Sequence, residues 1–271
     1  MHTRWGGALV AAALAVATAI VLGSLAPASS EAQTAALSRT ADGTPNLTGI
    51  WQVMNTANWD VQAHEARRGP VIALAAAFSV QPGPGVVEGN EIPYQPWAVA
   101  KKKENGDNWL TRDPEIKCYM PGIPRATYMP FPFQIVQSTG TVLMAYEFGS
   151  ASRIIRMNSA EKSPAPAWMG WSIGRWEGDT LVVDVTDQME ESWFDRAGNF
   201  HSDELHVVER YSVVDRNTLN YDVTIEDSKV FTRPWKMSML LYRRLEKNAQ
   251  LMEYKCVPFA EELMYGHLRK R

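Results

Sequence analysis

The side chains that could do chemistry concentrate between residues 168 and 213. His201 lies in a long irregular stretch, and His206, Glu209 and Arg210 follow it within a strand-like run. Imidazole is the side chain that most often acts as a general acid or base near neutral pH. A guanidinium group can hold a carboxylate or a phenolate. The candidate catalytic residues are therefore His201, His206, Glu209 and Arg210.

Glu209 falls on the apolar face of its predicted strand. Side chains alternate between two faces along residues 205–214, which places Glu209 with Tyr211 and places His206 with Arg210 on the opposite face. A carboxylate among apolar side chains is costly unless it is paired or lines a cavity. This position therefore indicates either a buried ion pair or a site.

No sequence pattern in the chain supports metal binding, a serine nucleophile, or phosphate or dinucleotide binding. His201, Asp203, His206 and Glu209 offer nitrogen and oxygen ligands, but their spacing matches no metal signature. The sequence contains no G-x-S-x-G nucleophile elbow, phosphate loop or dinucleotide-binding fingerprint. We expect neither a bound metal nor a cofactor.

Large apolar side chains are abundant, with ten tryptophans and twelve methionines. Such residues suit an adaptable apolar pocket, although they also fill ordinary β-sheet cores. The candidate ligand-binding residues are Trp171, Trp176, Trp193, Tyr211 and Trp235. The two interpretations, a cavity lined by Trp and Met or a filled core, both remain open at this point.

Short alternating runs, each ended by a turn signal, predict the elements that position these residues. Residues 172–176 and 180–186 flank the turn Glu177-Gly178-Asp179, which is a strong hairpin signal. Further runs occupy residues 49–53, 133–137, 141–148, 153–157, 205–214, 219–226, 235–244 and 251–257. Many short strands with little helical periodicity predict an all-β fold, an up-and-down antiparallel barrel, with a two-sheet sandwich as the alternative.

The chain divides into four predicted parts. Residues 1–32 have a basic start, an uncharged apolar run and small residues, which predicts a signal peptide, with a retained membrane anchor as the alternative. Residues 33–132 supply one strand and a Pro-rich wrapping segment, and residues 133–258 supply the barrel. Residues 259–271 form a tail. Within the second part, residues 96–105 predict a helix whose lysine run is a solvated face.

The cysteine count and the net charge limit which cellular compartment and which binding partners we expect. In an exported chain, two cysteines most simply form one disulfide, here Cys118–Cys256. The net charge of −3 offers no basic excess for nucleic acid. We expect a periplasmic or secreted protein with a small-molecule ligand and no stable membrane insertion after leader cleavage. The oligomeric state is left open.

Four sequence words carry a resemblance: PNLTGIW at residues 45–51, CYMPGIPR at 118–125, GRWEGDTLVVD at 174–184 and HSDELHVVER at 201–210. The chain resembles a group of exported bacterial proteins that share the WEGDTLVVD word. The likeness spans most of the mature chain and implies a lipocalin-like or calycin-like β-barrel. It implies little about chemistry.

Two functional hypotheses follow. The first is an exported barrel that binds an apolar or aromatic molecule in a cavity lined by Trp and Met. The second is a cofactor-independent lyase, isomerase or hydrolase that uses His201 or His206 as acid or base and Arg210 as an anion clamp. The second hypothesis requires these side chains to converge on one cavity.

Overall fold

The alternating runs form nine strands within residues 37–269, the part of the chain that the computed structural model describes. The strands are β1 (Gly49–Val53), β2 (Phe133–Ser138), β3 (Thr141–Tyr146), β4 (Ser152–Met157), β5 (Trp171–Glu177), β6 (Thr180–Thr186), β7 (His206–Asp215), β8 (Thr218–Glu226) and β9 (Trp235–Arg243). The predicted signal peptide, residues 1–32, lies outside the described residues.

The nine strands close into a barrel in chain order, which confirms the predicted all-β barrel. Neighbouring strands are antiparallel except β4 and β5, which are parallel. An odd number of strands in chain order cannot alternate all the way round a closed barrel, so at least one parallel pair is required. The connection at residues 158–170 supplies it, and the barrel is therefore not strictly up-and-down.

The predicted hairpin is present between β5 and β6, with Glu177 opposite Thr180 across the turn. The predicted strand at residues 251–257, in contrast, is wrong, because this stretch is irregular. β1 already pairs with β9, so the closed barrel has no free edge for another strand. The stretch instead contacts the end of β3, where the backbone N–H of Met252 donates to Glu147.

The remaining regular elements are helices. They are α1 (Pro96–Asp107), α2 (Trp109–Arg112) and α3 (Ala260–Tyr265), with short 3₁₀ segments at Ile72–Phe78, Glu88–Asn90, Arg125–Tyr128, Phe148–Ser150 and Gly266–Leu268. The predicted helix at residues 96–105 is confirmed, and Pro96 occupies its first turn as expected. No helix within residues 37–269 is long and apolar enough to span a bilayer.

The barrel core contains the inward side chains of all nine strands, including Trp51, Phe133, Tyr211, Tyr221 and Leu241. The Pro-rich segment before β2 adds Ile123, Ala126 and Tyr128 to the same core. The Tyr128 hydroxyl donates to the backbone carbonyl of Phe194 at 2.9 Å. This part of the segment therefore packs against the strands.

The predicted disulfide is present, since Cys118 and Cys256 are bonded with their Cα atoms 5.7 Å apart. It joins the Pro-rich segment to the stretch after β9, across 138 residues of sequence. The disulfide holds α3 near residues 113–118, where the backbone N–H of Phe259 donates to Ile116.

Candidate functional site

The four candidate catalytic residues do not converge. Glu209 lies inside the barrel and is completely buried, whereas His206 and Arg210 lie on the outer face of the same strand, β7. His201 lies before β7 and is buried against the ring of Phe194, with ring centroids 5.4 Å apart. The strand parity derived from the sequence predicted the separation of Glu209 from His206 and Arg210.

Glu209 takes part in a buried polar cluster, the barrel network, with Arg153, Tyr211 and Tyr221. Nη1 and Nη2 of Arg153 donate to the two carboxylate oxygens of Glu209 at 2.6 and 3.1 Å. The hydroxyls of Tyr211 and Tyr221 donate to Glu209 Oε1 at 2.9 and 2.6 Å. A bidentate ion pair with two further donors compensates the cost of burying the carboxylate.

The barrel network leaves no room for a ligand beside it. The side chain of Arg153 is 1% exposed, and Glu209, Tyr211 and Tyr221 are 0% exposed. A void large enough for water next to these groups would appear as accessible surface. Burial, followed by the Glu209 charge, raises the pKa of Tyr211 and Tyr221 well above the usual tyrosine value. Both hydroxyls therefore stay protonated as donors.

His206 and Arg210 belong to a line of ion pairs on the outer wall of the barrel. His206 Nε2 lies 3.2 Å from Asp184, and His206 Nδ1 lies 3.2 Å from Glu226. Arg210 Nη1 donates to Glu177 at 2.8 Å. These partners already occupy the groups that would serve as acid, base or anion clamp.

His201 pairs with Ser192. The Ser192 hydroxyl lies 2.8 Å from His201 Nε2, and His201 Nδ1 lies 2.8 Å from the Ser202 carbonyl. Because a carbonyl only accepts, Nδ1 carries the hydrogen and Nε2 accepts from Ser192. Burial lowers the pKa of His201, only partly offset by the Ser202 carbonyl, so the imidazole is neutral. Ser192 and His201 are 1% and 4% exposed.

The five candidate ligand-binding residues are also divided. Tyr211 lies in the barrel network, and Trp235 packs edge-on against Phe194 and Phe231. Trp193 is buried in the core, and Trp176 is partly buried and packs against the core. Trp171 lies under the guanidinium of Arg156. The described structure does not bring these five side chains around one cavity.

A pocket outside the barrel has the dimensions of a small-molecule site. Its volume is about 770 Å³, and α1 and residues 67–80 supply most of its lining residues. Small-molecule pockets usually measure roughly 300–1,000 Å³. We refer to this cavity as the outer pocket.

One wall of the outer pocket is a single face of α1. Its residues are Val99, Lys102, Lys103, Gly106 and Asp107. Positions three and four residues apart lie on one side of a helix, so these five positions share one face of α1. Lys101 lies outside this face and places its ammonium 4.8 Å from the ring of Phe200. The lysine run predicted to be a solvated face is therefore divided between the pocket and a neighbouring surface.

A second part of the lining is the loop at residues 67–80. Its two ends are joined by backbone hydrogen bonds between Arg67 and Val80 at 3.0 and 2.9 Å. Gly69 lets the loop fold closely on itself, because a Cβ atom there would lie 1.7 Å from the carbonyl oxygen of Phe78. The loop contributes Arg67, Arg68 and apolar groups, including Ile72, to the pocket.

The floor of the outer pocket is formed by Trp59, Trp109, Arg196 and Ala197. The guanidinium carbon of Arg196 lies 4.4 Å from the ring centroid of Trp59 and 4.7 Å from that of Trp109. α1 meets this floor closely, since a Cβ atom on Gly106 would lie 2.4 Å from the Ala197 carbonyl. The floor and the helical wall are therefore fixed relative to each other.

Positive charge dominates the outer pocket. Its basic residues are Arg67, Arg68, Lys102, Lys103 and Arg196, and its acidic residue is Asp107. A cleft lined mostly by one sign of charge concentrates ions of the opposite sign. Together with the two tryptophans, this charge suits an organic anion that has an apolar body.

A buried acid lies directly behind the floor. Asp195, the residue before Arg196, is completely buried and accepts hydrogen bonds from the Val61 backbone and from Asn199. Burial, followed by the neighbouring Asp60 carboxylate, raises the pKa of Asp195 to about 7. Asp195 does not reach the pocket surface, and its charge changes near neutral pH.

Within residues 37–269, no group of three or more His, Cys, Asp or Glu side chains is arranged to hold a metal ion. The chain matches no protein-family model, no curated protein and no solved structure. Its function must therefore be inferred from the geometry of its own residues.

Sequence reasoning missed the outer pocket and the partner of Glu209. Arg153 has a detectable signal, because it shares the inward parity of β4 with Ile155 and could have been matched to Glu209. The pocket has no comparable signal. Its lining comes from four separate stretches of the chain, and none of them contains a recognised motif.

Proposed function

We propose that this protein is a small-molecule-binding β-barrel whose ligand is an organic anion with an apolar body, bound in the outer pocket. The observation that carries the proposal is the meeting of five basic side chains and two tryptophans in one cavity of about 770 Å³. Tryptophan supplies apolar contact area, and the basic groups supply attraction for the charged end of a ligand.

The proposal keeps the apolar or aromatic ligand of the first hypothesis and changes its location. Side chains fill the barrel around Tyr211 and Tyr221, so a ligand there would have to displace the barrel network. Breaking a buried ion pair costs about 3–5 kcal/mol. The outer pocket accepts a ligand without this cost.

Titration calorimetry with naphthoate and its neutral amide tests the proposal. The two probes have the same apolar ring system and differ in charge. We expect naphthoate to bind at least about tenfold more tightly than the amide, which corresponds to about 1.4 kcal/mol. We also expect added salt to weaken naphthoate binding because it screens the basic groups.

Two tryptophan variants locate the binding. Trp59→Leu removes an aromatic ring from the pocket floor and should weaken naphthoate binding by about tenfold, within the range of interface aromatic truncations. Trp171→Leu is the matched control, because Trp171 lies beside Arg156 and outside the pocket lining. Absence of naphthoate binding, or equal weakening in both variants, contradicts the proposal.

The second candidate function is acid–base chemistry at His201, favoured by its 2.8 Å contact with the Ser192 hydroxyl. A serine beside a neutral imidazole whose other nitrogen is held in place is the arrangement of an activated nucleophile. Because both side chains are at least 96% buried, a substrate would need local opening to reach them. A role for His206 with Arg210 as clamp has less support, because both residues have carboxylate partners on the outer wall.

A fluorophosphonate probe tests the second candidate, since it reacts with activated serine hydroxyls. Labelling of Ser192 that is lost in His201→Ala would support catalysis at this pair. No labelling under native conditions would assign Ser192 and His201 to a structural hydrogen bond.

A further inference from the structure

We propose that the ligand of the outer pocket is a dianion, in which one acidic group binds Arg68 and the other binds Lys102 across an apolar body. This inference rests on the proposed function and identifies the chemical class of its ligand. It follows from sorting the basic side chains of the pocket by whether a carboxylate already neutralises each of them.

Arg196 is the most strongly neutralised of the five. Its Nε and Nη2 donate to the two oxygens of Glu115 at 2.8 and 2.9 Å. Its Nη1 donates to Glu261 of α3 at 3.2 Å. With the rings of Trp59 and Trp109 beside it, this guanidinium shapes the floor and has little capacity left for a ligand.

Two further basic groups also have acidic partners. Arg67 Nη2 lies 3.3 Å from the buried carboxylate of Asp60. Lys103 pairs with Asp107, one turn further along α1. The positive charge of both side chains is therefore offset within the protein.

Arg68 and Lys102 are different. Neither has a carboxylate within ion-pair distance anywhere in residues 37–269. Asp195 is completely buried and forms no ion pair with Lys102. These two groups supply the uncompensated positive charge of the pocket.

The two uncompensated groups belong to different segments of the pocket lining. Arg68 belongs to the loop at residues 67–80, and Lys102 belongs to the helical face of α1. A ligand with one acidic group that bound Arg68 would leave Lys102 facing an apolar body, which costs free energy because a charge loses water without gaining a partner. A ligand with an acidic group at each end neutralises both.

Apolar side chains share the pocket lining with these two groups. Ile72 and Val80 come from the loop, Val99 comes from α1, and Trp59 lies on the floor. A rigid aromatic ring system that carries two acidic groups suits a lining that combines these apolar side chains with two uncompensated cations. Aromatic dicarboxylates are the simplest members of this class.

The test compares naphthoate with a naphthalene dicarboxylate whose two carboxylates lie at opposite ends of the rings. Calorimetry on the full chain gives the ratio of the two dissociation constants. We expect the diacid to bind at least about tenfold more tightly than the monoacid. In Arg68→Gln and in Lys102→Gln, the ratio should fall to about one.

Lys101→Gln is the matched control, because it removes the same charge from the adjacent position of α1 but lies outside the pocket lining. It should keep the tenfold ratio. Arg68 is exposed and Lys102 is half-buried, so the substitutions spare the core, and unchanged melting temperatures would verify this.

The outcomes separate the two proposals. If neither probe binds, the proposed function fails. If both probes bind the unmodified protein equally well, the proposed function stands and the dianion inference fails. The inference is also overturned if the ratio survives in Arg68→Gln and in Lys102→Gln.

Discussion

The barrel network and the outer pocket both combine basic side chains with aromatic rings, and they differ in how the charge is compensated. Inside the barrel, Arg153 and Glu209 pair through two hydrogen bonds, and two tyrosine hydroxyls complete the shell. In the outer pocket, Arg68 and Lys102 have no carboxylate partner among residues 37–269. The charges inside the barrel are therefore paired with each other, and two of the charges in the outer pocket are not.

This difference indicates that the two regions have different roles. A buried charge without a partner would destabilise the fold, so the interior charges are matched. A charge that water reaches at the surface of a pocket stays hydrated, so it can remain unmatched at little cost. We infer that the barrel is the scaffold and that the segments packed outside it carry the function.

The largest effect is expected from breaking the barrel network. Arg153→Met leaves the Glu209 carboxylate buried without its cation and should lower the free energy of unfolding by about 3–5 kcal/mol. Urea denaturation measures this change. Binding of naphthoate by the remaining folded protein should be unaltered, because Arg153 does not line the outer pocket.

Arg210→Met is the matched control for this prediction. It removes the same charge from the outer wall of the barrel, where Arg210 pairs with Glu177 and its side chain is 40% exposed. Exposed pairs contribute about 0–1 kcal/mol. Equal destabilisation by the two variants would contradict the contrast between interior and surface charges.

Local sequence patterns predicted the barrel scaffold well. Alternation along β7 identified the inward position of Glu209, and the Glu177-Gly178-Asp179 turn located the β5–β6 hairpin. These features depend on neighbours in sequence, which a periodic pattern records. The parallel pairing of β4 with β5 was missed, since it depends on how the irregular residues 158–170 cross the barrel.

The outer pocket could not be predicted in the same way. Trp59, Arg68, Lys102 and Arg196 come from separate stretches that meet only after folding. The lysine run resembled an ordinary solvated face because nothing in its local sequence shows that Lys102 faces a tryptophan floor. Whether a charge is compensated depends on tertiary contacts, which a single sequence does not record.

A second effect concerns the segments outside the barrel. The Cys118–Cys256 disulfide closes a loop of 138 residues that contains most of the strands. The double variant Cys118→Ser/Cys256→Ser should lower the free energy of unfolding by about 2–4 kcal/mol, chiefly by freeing the unfolded chain. Denaturant unfolding with and without reductant measures it.

The same double variant also sharpens the comparison of the two regions. It loosens α3, which supplies Glu261 to Arg196 in the pocket floor, and leaves the barrel network untouched. Naphthoate binding should therefore weaken. The environment of Tyr211, which near-ultraviolet circular dichroism follows, should change little. Unchanged binding together with an altered aromatic signal would contradict the assignment.

A change in pH should have a smaller effect on the stability of the protein, through the carboxyl group of Asp195. Its pKa of about 7 in the folded state exceeds the ordinary value of 3.8, so between these values the folded state binds a proton that the unfolded state has lost. The contribution of Asp195 to stability is therefore most favourable at low pH and declines as pH rises through about 7.

Asp195→Asn isolates this contribution, because asparagine has no carboxyl proton to lose. Relative to this variant, the unmodified protein should lose roughly 2–3 kcal/mol of stability between about pH 5 and about pH 8. Urea denaturation of both proteins at each pH gives the difference. A difference that stays constant with pH would show that Asp195 is ionised throughout.

The most direct test of the central claim is a crystal structure of the protein with the naphthalene dicarboxylate bound. The account predicts ligand density between α1 and residues 67–80, with one carboxylate at Arg68, the other at Lys102 and the rings beside Trp59. Ligand density inside the barrel, with the Arg153–Glu209 pair displaced, would contradict the claim that the outer pocket is the binding site.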